Sequence, residues 1–387
     1  MTARLVLLAA MILPLLGCGK NAIHFMREGG PVAQVPAVEQ TATLRKLWRR
    51  DLGAGYQKSN FLLTPSFLAG RLYAAEPEGR IYALDAESGA VLWKRDLEEP
   101  LAAGVGVDTR QAVVVTREGE VVSLDTEGGD LRWRQKMGTE ILARPVLTEK
   151  QVLLRSGDGQ VIGADLESGQ ILWRVRRSVP ALTVRGLSAP LVIDNVALIG
   201  FASGRLSGID VASGAELWSA RIFRARGSNE VNRLVDIDSD PYQMGDRLII
   251  AGFQAQISAV SLKTRRIEWD AEHSTLRPLS SVGKVLLVTK DDGSVSGLDI
   301  QSGAQIWEVD ALQGRGVSGP FGLESRGLAV VGDYKGLLYL LDSASGELVG
   351  RKKGGGGAVL GIYDSGDQDR FVTLSENGSL TAWAVGE

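Results

Sequence analysis

The sequence has very few of the side chains on which most metal, redox and hydrolytic sites depend. Among its 387 residues there is one cysteine, Cys18, and there are two histidines, His24 and His273. A single cysteine excludes an intramolecular disulfide. Two histidines far apart in sequence argue against a histidine-based metal centre and against a Ser/His/Asp triad. We therefore predict no catalytic site, no metal site and no cofactor.

The sequence also lacks an excess of charge of either sign. Its 43 basic and 46 acidic residues give a formal net charge of −3, so composition gives no reason to expect nucleic-acid binding. Long apolar segments are missing too. The run at 5–16 has only 12 residues, which is too short to span a bilayer.

This apolar run is typical of a secretory signal peptide, because Arg4 gives it a positive start. It ends in Leu-Leu-Gly-Cys at 15–18, which resembles the bacterial lipobox. The resemblance implies a signal peptide over 1–17 and lipidation of Cys18. Gly19 follows where an aspartate would favour the inner membrane, so the implied location is the outer membrane, facing the periplasm. The alternative is an ordinary signal peptide with an incidental cysteine.

The next stretch, 18–42, has no apolar periodicity and contains Gly29-Gly30-Pro31 and Pro36. Such composition predicts a flexible tether between the lipidated N-terminus and the folded part. About 24 flexible residues give a typical end-to-end distance of roughly 25–30 Å. The folded part is therefore predicted to start at residue 43.

From residue 43 the chain is built on one repeated phrase, Asp-x-x-Ser-Gly-x-x-x-Trp. In this phrase Asp and Ser can hydrogen-bond their own backbone and Gly accepts positive φ, which predicts a tight turn between two strands. Close copies run from Asp85 to Trp93, Asp125 to Trp133, Asp165 to Trp173, Asp210 to Trp218 and Asp299 to Trp307. Asp342 begins a copy with Gly350 in the Trp place, and Ser261 begins a weaker copy ending at Trp269.

Tryptophans 38 to 51 residues apart are typical of propeller blades with four short strands each. For the unit that ends near Trp218 we predict strands at 187–193, 195–201, 205–210 and 215–221. The two chain ends complement each other: the strand at Trp48 has no other strands of a blade before it, and the last blade, which ends with the strand at Trp383, is one strand short. Pairing them closes the ring and removes an open sheet edge. We predict an all-β, eight-bladed propeller over 43–387; the alternative is seven blades with a decorated terminus.

The repeated phrase resembles the tryptophan-docking repeat of the quinoprotein-type eight-bladed propellers, over essentially the whole chain after residue 43. Some members of that superfamily are dehydrogenases that use pyrroloquinoline quinone, with a vicinal disulfide and calcium ligands. This chain lacks the second cysteine, and turn formation and packing account for the repeated Asp and Trp. We therefore predict that it is not an enzyme. A quinone-dependent dehydrogenase or a cofactor-binding protein is the alternative.

Two stretches, 180–190 and 232–241, resemble the BamB family, lipoprotein subunits of the β-barrel assembly machinery of the Gram-negative outer membrane. The resemblance implies a non-enzymatic scaffold that binds the barrel subunit BamA and aids insertion of β-barrel proteins. The implied BamA-binding residues are Leu182, Val184, Arg185, Asp236 and Asp238. Unfolded outer-membrane proteins are a second candidate partner, and a periplasmic structural lipoprotein with another partner is the remaining alternative.

Both stretches connect the last strand of one blade to the first strand of the next. Because strands alternate in direction, such connections lie on one face of the ring, and these two are neighbours there. One alternative for this face is that Arg185 pairs internally with Asp236 or Asp238. Another reads Asp236, Asp238 and Asp240 as the start of a calcium loop, which the Pro at 241 and the Arg at 247 argue against. Basic clusters flank the fourth blade and fit either a solvated rim or an acidic partner: Arg174, Arg176, Arg177, Arg221, Arg224 and Arg226.

Overall fold

The computed structural model describes residues 32–57, 59, 61–177, 188–224, 236–252 and 254–386. These residues form eight antiparallel sheets of four strands each. Short 3-10 helices lie at Asp310–Leu312 and Glu324–Arg326. Within the described ranges, no helix is long and apolar enough to cross a membrane.

The first four blades follow one another along the chain. Blade one contains β2 (Ser66–Leu68), β3 (Arg71–Ala75), β4 (Arg80–Asp85) and β5 (Val91–Asp96). Blade two contains β6 (Leu101–Val107), β7 (Gln111–Thr116), β8 (Glu120–Asp125) and β9 (Leu131–Lys136). Blade three contains β10 (Val146–Leu147), β11 (Gln151–Arg155), β12 (Gln160–Asp165) and β13 (Ile171–Arg176). Blade four contains β14 (Leu191–Ile193), β15 (Val196–Phe201), β16 (Arg205–Asp210) and β17 (Glu216–Arg221).

The remaining blades complete the ring. Blade five contains β18 (Tyr242–Met244), β19 (Arg247–Ile250), β20 (Ile257–Ser261) and β21 (Ile267–Ala271). Blade six contains β22 (Ser280–Val282), β23 (Val285–Thr289), β24 (Val295–Asp299) and β25 (Gln305–Val309). Blade seven contains β26 (Phe321–Leu323), β27 (Leu328–Gly332), β28 (Leu337–Asp342) and β29 (Leu348–Lys353). Blade eight contains β30 (Val359–Asp364), β31 (Arg370–Ser375), β32 (Ser379–Val385) and β1 (Leu44–Asp51).

Blade eight joins the two ends of the chain. Strand β1 pairs antiparallel with β32, from Leu44 opposite Val385 to Asp51 opposite Ser379. Leu44 and Trp48 are buried, so β1 contributes to the core as well as to the hydrogen-bond ladder. The predicted eight-bladed ring, closed by its N- and C-terminal strands, is confirmed.

In six blades a tryptophan links the blade to the turn of the next one. Asp165 shows the turn: its Oδ1 accepts hydrogen bonds from the Ser168 backbone N–H (2.9 Å) and hydroxyl (2.7 Å). These bonds lower the pKa of Asp165. The indole N–H of Trp133, in the preceding blade, donates to the Leu166 carbonyl of this turn (3.0 Å). The same bond recurs at Trp48, Trp93, Trp173, Trp269 and Trp307, over 2.9–3.2 Å.

Two repeats depart from the phrase, one at its glycine and one at its tryptophan, and both departures concern the contact between a tryptophan and the turn of the next blade. Arg265 takes the glycine place with φ +60°, and its guanidinium stacks 5.5 Å from the Trp218 ring centre. Gly350 takes a tryptophan place next to blade eight, which has no turn between its last two strands because they come from opposite ends of the chain. An added Cβ on Gly350 would lie 2.4 Å from the Ala42 carbonyl oxygen.

Residues 33–42 pack along blade seven, which differs from the flexible tether expected over 18–42. The backbone N–H groups of Thr41 and Ala42 donate to the Val349 carbonyl, each at 2.9 Å. Arg351 donates to the Pro36 carbonyl (2.8 Å) and Arg315 donates to the Ala33 carbonyl (2.9 Å). Hydrogen bonds from arginine side chains to backbone carbonyls do not require regularly spaced apolar residues. The sequence therefore did not indicate that 33–42 would pack against the ring. Residues 1–31, with the predicted signal peptide and Cys18, lie outside the described residues.

The first strand of blade four is shorter than predicted, beginning at Leu191 instead of residue 187. Ser188 and Ala189 direct their polar groups toward 237–240 instead of a neighbouring strand, and Pro190 has no N–H to offer a ladder. The other three strands agree with the predicted ranges within one residue.

Candidate partner-binding face

The candidate site lies on the connection face, which we define as the edge of the ring formed by the segments that link blades, such as 188–190 and 236–241. The turns between second and third strands share this face. Each connection starts with a hydrogen bond to a turn glycine: Arg177 N–H donates to the Gly159 carbonyl (2.9 Å) and Ile222 N–H to the Gly204 carbonyl (2.8 Å). The predicted residues Leu182, Val184 and Arg185 lie outside the described residues.

Asp236 and Asp238 are described, and they do not face solvent in the isolated chain. Their exposed fractions are 2% and 8%. The sequence suggested acceptors offered to a partner across an interface; the structure puts both carboxylates beneath the surface, close to Arg155. Apolar and polar residues do not alternate regularly enough around Asp236 and Asp238 for the sequence to show which side chains point inward.

Arg155 is the functional candidate that sequence reasoning missed. It ends the buried strand β11, and only 3% of it is exposed. Its Nη1 donates to the Ser188 carbonyl (2.8 Å) and to the Ser188 hydroxyl oxygen (2.7 Å). Its guanidinium also lies 5.7 Å from the ring centre of Phe201 in blade four. The sequence did contain one signal, because Arg155 directly follows the strand-forming residues Gln-Val-Leu-Leu. A charged residue at the end of a buried strand is expected to have a partner.

Burial controls the electrostatics of this cluster. It raises the pKa of Asp238 to about 8, with a further rise from the neighbouring Asp236 charge and an opposing effect of Arg155. Burial lowers the pKa of Arg155 to about 10, against the effect of the aspartates, so the guanidinium stays charged at neutral pH. The Oδ2 atom of Asp238 is buried and has no hydrogen-bond donor. The cluster therefore combines a fixed cation with a carboxyl group that holds its proton.

Asp240 lies at the exposed rim of the cluster. Its Oδ1 accepts a hydrogen bond from the Ala189 backbone N–H (2.6 Å). In the part of the chain that the structure describes, no group of three or more His, Cys, Asp or Glu side chains has the arrangement of a metal site.

Two depressions are lined by residues of blades four and five and of the connections beside them. One, of about 420 Å³, is lined by Arg177, Phe201, Arg205, Glu216 and three serines. The other, of about 300 Å³, is lined in part by Phe223, Arg224 and Glu272. Some arginines of the predicted basic clusters are already paired: Arg177 contacts Glu216, and Arg174 donates to the Met137 carbonyl (2.8 Å).

Known proteins resemble this chain along most of its length. The family model described as outer membrane protein assembly factor BamB matches residues 77–308 and 291–385. The outer membrane protein assembly factor BamB of Pseudomonas aeruginosa is 43% identical over 346 residues, which is 89% of this chain and 90% of that protein. The crystal structure of BamB from Moraxella catarrhalis matches with a TM-score of 0.81 and 27% identity, covering 88% of this chain and 100% of that one.

Enzymes share the fold but are more distant. The quinohemoprotein alcohol dehydrogenase of Comamonas testosteroni matches with a TM-score of 0.68 at 12% identity, over 90% of this chain and 78% of its own. At that identity the match shows the propeller fold alone. The relatives that resemble the chain in sequence carry the name of an assembly factor, so the chain is not an enzyme. It belongs to the BamB family of outer membrane protein assembly factors.

Proposed function

We propose that the chain is a scaffold of outer-membrane protein assembly that binds BamA through the connection face between blades three and five. The observation that carries the proposal is the convergence of two neighbouring connections on one buried cluster. Ser188, at the end of the first connection, donates through its hydroxyl to the Ile237 carbonyl of the second (3.2 Å). Two connections held together in this way can present a single surface to a partner.

Within this surface we assign direct contact to Leu182, Val184 and Arg185. Arg185 offers a planar set of donors suited to carboxylates or carbonyls, and the two aliphatic residues offer an apolar anchor beside it. Asp236 and Asp238 belong to the same proposed surface, with their buried carboxylates supporting it from below or taking a donor from BamA. Arginine-plus-apolar clusters of this kind often dominate an interface.

The test is Arg185→Ala, with BamA affinity and thermal unfolding measured on the same preparation. We expect the affinity to fall roughly thirtyfold, about 2 kcal/mol, with the melting temperature unchanged. Arg95→Ala is the matched control, because Arg95 is an exposed arginine on the outer strand of blade one. An unchanged affinity, or a loss that only follows unfolding, would return Arg185 to an internal bracing role.

We also propose that a lipid on Cys18 holds the protein on the outer membrane, facing the periplasm. The lipobox-like Leu-Leu-Gly-Cys after an apolar run of 12 residues supports this location. The intact mass of the mature protein extracted from membranes tests it: we expect acyl chains on an N-terminal Cys18, and an unacylated mature chain would contradict the anchor.

Unfolded outer-membrane proteins are the second partner that we propose. The outermost strands of the blades end their sheets, and they carry half-exposed aliphatic side chains such as Leu92, Leu172, Leu217 and Ile306. A free strand edge can pair with an extended segment of another chain. Photocrosslinkers at Leu172 should capture such clients during their assembly, and crosslinks to mature proteins alone would argue against this contact.

A further inference from the structure

The ends of the two candidate connections meet over a single buried side chain. Arg155, from blade three, donates to the carbonyl and the hydroxyl of Ser188, which closes the connection into blade four. The Ser188 hydroxyl donates to the carbonyl of Ile237 (3.2 Å), which lies in the connection into blade five. One arginine therefore joins three consecutive blades.

A second hydrogen bond runs in parallel to this chain. The backbone N–H of Ala189 donates to Oδ1 of Asp240 (2.6 Å). Phe201, on which Arg155 stacks, also accepts a hydrogen bond from the Ile237 N–H (3.5 Å). The described ends of the two connections are thus tied to each other at neighbouring residues, and Arg155 holds them to blade three.

The arginine is specific to this blade. In the other seven blades the second strand ends in an uncharged residue: Ala75, Thr116, Phe201, Ile250, Thr289, Gly332 and Ser375. Propeller packing therefore does not require a charge at this position. A buried guanidinium is costly to desolvate and is weak support for stability, whereas a buried polar group can fix one arrangement among several. This contrast indicates a local task for Arg155.

We propose that Arg155 is a positioning residue that fixes residues 188–190 and 236–241, where the two connections enter blades four and five, relative to each other, so that they form one binding surface. This inference rests on the proposed binding of BamA at the connection face and adds the residue that sets its geometry. Arg155 itself is buried and touches no partner. Its positive charge also interacts with Asp236, Asp238 and Asp240. Loss of this charge would therefore make the burial of Asp236 and Asp238 less favourable.

The test compares Arg155→Met with Arg155→Lys in the full chain. The matched control is Arg315→Met: Arg315 is also a buried arginine, 2% exposed, and its Nε donates to Asp333 (3.0 Å) in blade seven, away from the candidate connections. Three quantities are measured: hydrogen exchange of peptides containing Ala189 and Ile237, BamA affinity, and melting temperature. Exchange reports local opening that a melting curve does not resolve.

We expect Arg155→Met to speed exchange at both peptides and to weaken BamA binding, each about tenfold, at temperatures where the ring is intact. Arg155→Lys should recover part of both, because its ammonium can still reach the Ser188 carbonyl. Arg315→Met should lower the melting temperature without either change. If Arg155→Met does not fold, Ser188→Ala removes the link to Ile237 while Arg155 stays, and it should speed exchange at the Ile237 peptide.

Unchanged exchange at both peptides in the variants of Arg155 and Ser188 would overturn the proposal that Arg155 fixes these residues relative to each other. Faster exchange with normal BamA affinity, in a protein whose affinity does respond to Arg185→Ala, would overturn the role of Arg155 in binding while the proposed function stands. If Arg185→Ala also leaves the affinity normal, the proposed function fails, and the inference about the binding surface fails with it.

Discussion

At the scale of single residues, the connection face contains a carboxyl group in an unfavourable place. Asp238 is buried, lies beside the Asp236 charge and has one oxygen without a donor. A group in this situation reduces the stability of the isolated chain whenever it must ionise. A partner that donates a hydrogen bond to Oδ2 would relieve this, which agrees with a role of Asp238 in the proposed surface.

Asp238→Asn should therefore change how stability depends on pH. The folded chain keeps a proton on Asp238 up to about pH 8, whereas the unfolded chain releases it near pH 3.9. The stabilising contribution of the protonated group is complete below the lower value and is lost as pH rises through the upper one, at up to about 1.4 kcal/mol per pH unit. Asparagine cannot ionise, so the variant should become progressively more stable than the wild type between pH 5 and pH 9.

Melting temperatures of both proteins at pH 5, 7 and 9 measure this difference. Asp130→Asn is the control, since Asp130 is an exposed aspartate in a turn of blade two. Parallel curves for Asp238→Asn and the wild type would mean that Asp238 is ionised in the folded chain throughout this range.

At the scale of one element, the turn glycine of the repeated phrase meets two requirements at once. Gly169 has φ +72°, and a Cβ added to it would lie 2.5 Å from Cε3 of Trp133 in the preceding blade. The sequence predicted the first requirement from the turn residues alone. It did not predict the second, because the indole lies 36 residues earlier in the chain.

Gly169→Ala and Gly138→Ala separate these requirements. Gly138 has the same φ of +72° but no atom within 4 Å of an added Cβ, so its substitution adds backbone strain only, about 1 kcal/mol. Gly169→Ala should cost about 1–3 kcal/mol more, because the Trp133 ring must shift. Urea denaturation of the two variants gives the difference. Equal losses would show that the tryptophan contact adds nothing to the glycine requirement.

The fold could be predicted from the sequence largely because its signals are local and repeated. Turn residues, strand alternation and the spacing of tryptophans each recur about every 40 residues, so blade number and ring closure followed. The hydrogen bonds from Arg155 to Ser188 and from Ser188 to Ile237 span 33 and 49 residues of sequence and leave no periodic trace. The same reason hid the contact of Ala33 with Arg315. Non-local polar contacts of this kind carry the candidate site.

At the scale of the whole molecule, neighbouring blades are joined by tryptophan contacts and by shared core residues. Tryptophans from six blades dock on the turn of the blade that follows. The core around blade one contains Trp48 from β1 and Leu380 from β32 as well as its own residues. Closure in blade eight therefore affects the packing of blade one, although the two closing strands come from opposite ends of the chain.

Three N-terminal deletions distinguish the tether, the segment packed on blade seven and the closing strand. Removing 19–31 should leave the melting temperature near that of the wild type, because a tether buries little. Removing 32–42 should lower it modestly, through the loss of hydrogen bonds from Arg315 and Arg351 to this segment. Removing 43–50 should destabilise the whole ring and promote aggregation, because it exposes the edge of β32 and removes Trp48 from the core. Calorimetry and light scattering on the three proteins measure this order. A melting temperature for the 43–50 deletion equal to that of the 19–31 deletion would contradict closure by β1.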